Sequence, residues 1–154
     1  MPRYDFELFA DYHQFYLQDE PADGNLGDAW TEDASDRLLA VATGVIGVGT
    51  IRNTEVPVTI EIFEKEPLLD VTRFDHVVEC SLSVSSGRIV VAGCTDYFPD
   101  AARIDVRAGT YRVRVNYANL NSLSPDGLDG NDSYHLELWL APSTEISVLK
   151  RRAA

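Results

Sequence analysis

Cysteines, basic residues and long apolar runs are all scarce in this chain. None of its 154 residues belongs to a run approaching the ~18 consecutive apolar residues of a membrane-spanning helix, which argues against an integral membrane protein. The first residues lack the apolar core of a secretory signal and carry acids at Asp5 and Glu7, so the expected location is the cytoplasm. Two cysteines occur, Cys80 and Cys94, neither beside a base that would lower its pKa. They read as free thiols of a reducing compartment, near neighbours on opposite arms of one hairpin but out of register. Lys and Arg number 13 against 25 Asp and Glu, a net charge of −12. That balance disfavours binding to nucleic acid or an anionic membrane and favours a basic protein partner. The plain alternative is that the acidity serves solubility alone.

Catalytic signatures are equally scarce. There is no Gly-x-Ser-x-Gly, no P-loop and no Gly-x-Gly-x-x-Gly. His13, His76 and His135 fall on separate predicted strands without metal-binding spacing. Asp126, Asp129 and Asp132 stand three apart, but the alternate-residue spacing and closing Glu of an EF-hand are missing, so their segment reads as a solvated turn. The expectation is a protein that is not an enzyme and needs no cofactor or metal.

What the chain does have is period-two alternation. Tyr4–Leu8, Tyr12–Gln18, Val56–Glu64, Tyr111–Tyr117 and Tyr134–Leu140 all read as half-buried strands. Residues 38–51, β-branched and Gly-rich, form one bent strand or two; Ile104–Arg107 and Glu145–Leu149 are short strands. Residues 74–84 and 88–94 look like a hairpin through Ser85-Ser86-Gly87. Thr31 caps a short helix with Glu32 and Asp33 in its first turn. Apolar residues at 45% and charged residues at 25% suit one globular domain. The fold class is all-β: a single antiparallel, jelly-roll-like β-sandwich over residues 1–149, with eight or nine strands, at most one short helix, and a frayed basic tail at 150–154.

The charge is polarised. Residues 1–36 hold ten acids and one base, Arg3, and seven of the ten lie between Asp19 and Asp36. Arg103, Arg107, Arg112 and Arg114 form a basic run.

Three motifs stand out: Asp11-Tyr12-His13-Gln14-Phe15, Asp28-Ala29-Trp30-Thr31-Glu32-Asp33-Ala34, and Arg52-Asn53-Thr54. Together they resemble the competence protein J family, inhibitors of the nuclease through which naturally competent Bacillus takes up DNA. The resemblance is carried by residues 8–65 and continues to 149 as a strand pattern, with longer loops at 95–102 and 118–133. It implies a small cytosolic protein that binds and silences a nuclease. Acidity suits that role, because carboxylates can take the places of substrate phosphates in a basic cleft.

The expected contact face is Asp19, Glu20, Asp23, Asp28, Glu32, Asp33 and Asp36, with Trp30 as apolar anchor. Structural readings stand beside these. Tyr12, His13, Gln14 and Phe15 suit a strand with core and polar faces. Trp30 suits either an exposed hot spot or an anchor for its own loop. Arg52 suits a bond to a carboxylate of the acidic segment. Rival functions are a small-ligand binder with an apolar pocket between the sheets, a hydrolase built on His135 and the 126–132 loop, and a homodimer formed through sheet edges.

Overall fold

Alternating strands bury one face each, and here they do so against one another in two sheets. The computed structural model describes residues 2–152. In chain order the elements are β1 (Arg3–Phe9), β2 (Gln14–Asp19), α1 (Glu32–Arg37), β3 (Leu39–Ala42), β4 (Val45–Gly49), β5 (Glu55–Ile62), β6 (His76–Val84), β7 (Arg88–Gly93), β8 (Ala102–Asp105), β9 (Gly109–Ala118), β10 (Ser133–Leu140) and β11 (Ser147–Lys150). One sheet has the order β1-β5-β10-β9-β6-β11 and the other β3-β4-β2-β7-β8. The all-β expectation holds, with one α-helix among the described residues and no closed barrel.

The strands outnumber the eight or nine expected. Three of them, β3, β8 and β11, are four-residue edge strands paired on one side only. Residues 38–51 resolve into two strands, β3 and β4, which turn at Gly44 with φ of +72°. Pairing is antiparallel except between β5 and β10, which run parallel with Val58 opposite Tyr134.

The core follows the alternation. Phe15, Leu17, Ile46, Val48, Ile89 and Val91 face Val58, Ile60, Val78, Leu82, Val113 and Leu136 across the sandwich. Each fully buried apolar side chain contributes about 2 kcal/mol. Phe15, Tyr134 and Tyr117 meet edge to face with centroids 5.9 and 5.7 Å apart.

The expected hairpin at Ser85-Ser86-Gly87 is an arch instead. β6 pairs with β9 and β11, whereas β7 pairs with β2 and β8, so the turn crosses from one sheet to the other. Asp19, at the end of β2, holds it there: its carboxylate accepts the backbone N–H and hydroxyl of Ser85 and Ser86 at 2.5 to 3.2 Å. A tight turn is compatible with either outcome, and the long-range anchor decides. Cys80 therefore faces the core of one sheet while Cys94 follows β7 in the other; both are free. They are not neighbours on one hairpin.

Segments also cover the outer faces. Residues 63–75 lie over Arg114, which is 1% exposed. Its guanidinium meets Glu79, Glu66 and Glu137 and stacks 4.9 Å from the Trp139 ring. Arg103 pairs with Glu20 at 2.9 Å. The basic run is thus largely neutralised within the chain. The tail is docked as far as Arg152: Lys150 lies in β11 and donates to the Val71 carbonyl, and the Arg152 N–H donates to His76 Nδ1. Ala153 and Ala154 lie outside the described residues.

Candidate partner-binding face

Residues 20–36 cross the outer face of the smaller sheet, and short-range bonds give the segment its shape. Gln18 Nε2 donates to the Ala22 carbonyl, Asp23 accepts from the Asn25 N–H, and Asn25 accepts from the Gly27 N–H. Such side-chain turns suit Asp and Asn, whose short acceptors reach the backbone two residues on. Thr31 Oγ1 then accepts the Ala34 N–H and starts α1. Leu38 ends it in the left-handed region with φ of +61°.

A second small apolar cluster pins the segment down. Leu26, Ala34, Ala40 and Val45 are buried, with Tyr16 and Trp30 packed against them. The sheet offers room because Gly47 has no side chain: a Cβ there would stand 2.8 Å from Leu26 and 3.0 Å from Trp30. Trp30 is half-buried in its own chain and serves as the anchor of the acidic loop.

With the loop fixed, Asp23, Asp28, Glu32, Asp33 and Asp36 all point to solvent. Among the described residues none of the five makes an ion pair. The other two expected contact residues do not join them. Asp19 is buried under the Ser85–Ser86 turn, and Glu20 is held by Arg103 and Arg88. Alternation could not separate these two from their neighbours, because their partners lie more than 60 residues along the chain.

Among the motif residues Phe15 lies in the core as expected, whereas Tyr12, His13 and Arg52 depart from their expected places. Asp11–His13 form a single 3-10 turn rather than the start of a strand, with Tyr12 and His13 at φ of +56° and +58°. Strand pairing starts at Gln14, and Phe15 is buried in the core. Asn53 Oδ1 accepts the His13 N–H, and Thr54 Oγ1 donates to the Leu128 carbonyl. Arg52 pairs not with the acidic segment but with Asp132, Nε to Oδ1 at 2.6 Å, and donates also to the Asp132 carbonyl. Tyr134 donates to the other oxygen of Asp132 and accepts the Ile51 N–H.

His76, Cys80, His135 and Asp126 are engaged or buried within the fold. His76 Nε2 donates to the Arg37 carbonyl and Nδ1 accepts from Arg152, which is the neutral imidazole; burial lowers its pKa further. Burial pushes the Cys80 thiol up to about 12. His135 lies 2.5 Å from Glu61, while Asp126 accepts from Ser124 and Leu128 in its own turn. His135 thus pairs with Glu61, and of the 126–132 carboxylates Asp126 and Asp132 are bonded elsewhere. Among the described residues no group of three or more His, Cys, Asp or Glu is placed to hold a metal, and no helix is long and apolar enough to cross a membrane.

Two solved structures share this architecture. One is ComJ from Bacillus subtilis, an inhibitor of the DNA-degrading activity of NucA. It matches at a TM-score of 0.68 with 18% identity, over 92% of this chain and 96% of ComJ. The fold is ComJ-like. The product of crocagin biosynthetic gene J also matches, at a TM-score of 0.62 with 20% identity, over 92% of this chain and all of that one. No family model and no curated protein matches the sequence.

In this ComJ-like fold Asp19 is a structural carboxylate, buried and bonded to the Ser85–Ser86 turn. Burial by itself would raise its pKa, but the four bonds from Ser86 and Ser85 outweigh it and hold the carboxyl below the ordinary range. A depressed folded pKa adds stability above the unfolded value, about 3.9, and loses it as pH falls through the folded one. Asp19→Asn lacks this increment at every pH. Urea unfolding at pH 7 and pH 3 is therefore expected to show a gap between wild type and variant that narrows in acid. A gap of constant size would mean that the bonds are not made by the ionised group.

Proposed function

We propose that this protein is a nuclease inhibitor. It acts in the cytoplasm, without cofactor or covalent chemistry, by covering the DNA-binding cleft of a basic nuclease. The observation that carries this reading is the set of five unpaired carboxylates held outward on a fold like that of ComJ. Nucleases grip a polyanion with Lys and Arg, and carboxylates at fixed positions compete for the same groups. Fixing them in advance matters, since each side chain or loop ordered on binding subtracts from affinity. Two free thiols suit a reducing compartment.

DNA degradation by lysate of the native cells, and by purified NucA, tests the proposal. At low salt the protein is expected to suppress one basic nuclease activity stoichiometrically, with release at high salt. No suppression at low salt, or suppression that salt leaves unchanged, would sink it.

A second reading, a small-ligand binder, has one observation in its favour. An open cleft of about 880 Å³ lies at one end of the sandwich, with Ile62, Phe63, Tyr111 and Leu140 on its walls and Lys65 and Arg107 among its lining residues. It sits at the mouth of the sandwich rather than within the core, whose inner positions are filled.

A further inference from the structure

Resting on the nuclease-inhibitor reading, we infer that the apolar anchors of the interface are Tyr12 and Tyr97, at the opposite end of the sandwich from that cleft, and that they receive a cationic loop of the nuclease. Trp30 is committed to its own loop, so the acidic face by itself offers no exposed aromatic. The nearest ones lie on the turns at 9–13 and 94–101. Tyr12 is 70% exposed and Tyr97 71%, and Phe9, on the first of these turns, is 43% exposed. Thr95 donates to Asp11 and ties the two turns together, and the Phe9 carbonyl approaches Gly93 so closely that a Cβ there would lie 2.2 Å from it.

Charge names the occupant. Along the chain Asp11, Asp96 and Asp100 flank these rings; Asp11 accepts from the Tyr12 N–H and from Thr95, and Asp96 from the Gly93 N–H, but none of the three is in an ion pair among the described residues. The cations within reach are occupied: Arg52 by Asp132, and Arg103 by Glu20 and the carbonyls of Phe98 and Ala101. A tyrosine face beside an unopposed carboxylate is a site for Arg or Lys, through cation–π attraction and a charged hydrogen bond together. The end is also continuous with the acidic face. A groove of about 320 Å³ runs between them, lined by Asp23, Gly24, Cys94, Asp96 and Phe98.

The projecting ring is preorganised. Tyr12 and His13 hold left-handed backbone, which is unfavourable for a residue that carries a side chain. Asp11, Asn53, Thr50 and Ala10 hold the turn through bonds to its backbone and to the His13 ring. The conformation is thus set before any partner arrives.

That geometry supplies the test. Glycine accepts φ of +56° without strain, so Tyr12→Gly removes the ring while keeping the fold. The double variant Tyr12→Gly/Tyr97→Ala is compared with wild type in the nuclease assay above, with Leu68→Ser as control. Leu68 is 95% exposed on the segment covering the other sheet. The expected result is an inhibition constant raised on the order of 30-fold in the double variant, unchanged in the control, with no fall in melting temperature. Equal inhibition by wild type and double variant overturns the inference while leaving the inhibitor reading intact. Failure of wild type to inhibit any nuclease removes that reading, and the inference with it. A wild-type dimer, seen by sedimentation, that the double variant dissociates without change in inhibition would make this end a self-association surface and also overturn the inference.

Discussion

Reversing Asp28, Glu32 and Asp33 to lysine is expected to weaken nuclease binding on the order of 100-fold, chiefly through slower association. The three side chains are exposed and unpaired, so nothing inside the protein depends on their sign except the dipole of α1. Glu32 and Asp33 stand in its first turn, where carboxylates are worth about 0.3–1 kcal/mol each. The helix is held mainly by the Thr31 cap and buried Ala34, so a small loss of stability accompanies a large loss of affinity. The two effects separate cleanly: melting temperature reports the first, and association rate across a salt series reports the second. The slope against salt should flatten, since fewer charges are exchanged on binding. Affinity unchanged by all three reversals would mean that the acid serves solubility and that the partner, if any, binds elsewhere.

Asp132→Ala is expected to cost about 3–5 kcal/mol, the usual result of breaking a buried ion pair from one side. Asp132 is wholly buried and receives Arg52 on one oxygen and Tyr134 on the other. Tyr134 in turn accepts the Ile51 N–H, so one carboxylate orders the strap between β4 and β5 and the start of β10. Removing it leaves the Arg52 Nε and the Tyr134 phenol without their carboxylate acceptor in a part of the core where Tyr134 also packs on Phe15 and Tyr117. At 2–4 °C per kcal/mol for a domain of this size, the melting temperature should fall by roughly 10 °C. The double change Asp132→Ala/Arg52→Met should recover part of the loss, because an apolar replacement leaves no buried charge unpaired. If Arg52→Met with Asp132→Ala is no better than Asp132→Ala alone, the cost comes from the phenol and not from the ion pair.

The strands, the capped helix and the acidic polarity of residues 1–36 were legible because each depends on neighbours in the chain. Alternation decides which side chains of a strand share a face, Thr31 caps the turn that follows it, and charge adds without regard to fold. The crossing at Ser85-Ser86-Gly87 was not legible, since the same turn closes a hairpin or an arch and Asp19 chooses between them from 66 residues away. Nor was the partner of Arg52, 80 residues distant with many nearer carboxylates to choose from. Tyr12 and His13 alternate like strand residues, yet hydrogen bonds of His13 to Asn53 and Thr50 hold them in a turn that their own preferences disfavour. Tyr97 carried a faint signal, an aromatic run between Asp96 and Asp100, without strand alternation to explain it. By itself, then, the sequence determined an all-β acidic domain and the segment where its charge gathers. The tertiary structure alone decided which of those acids are spent inside the fold and which face solvent, because a carboxylate's role depends on donors brought to it through space, and local sequence holds no record of them.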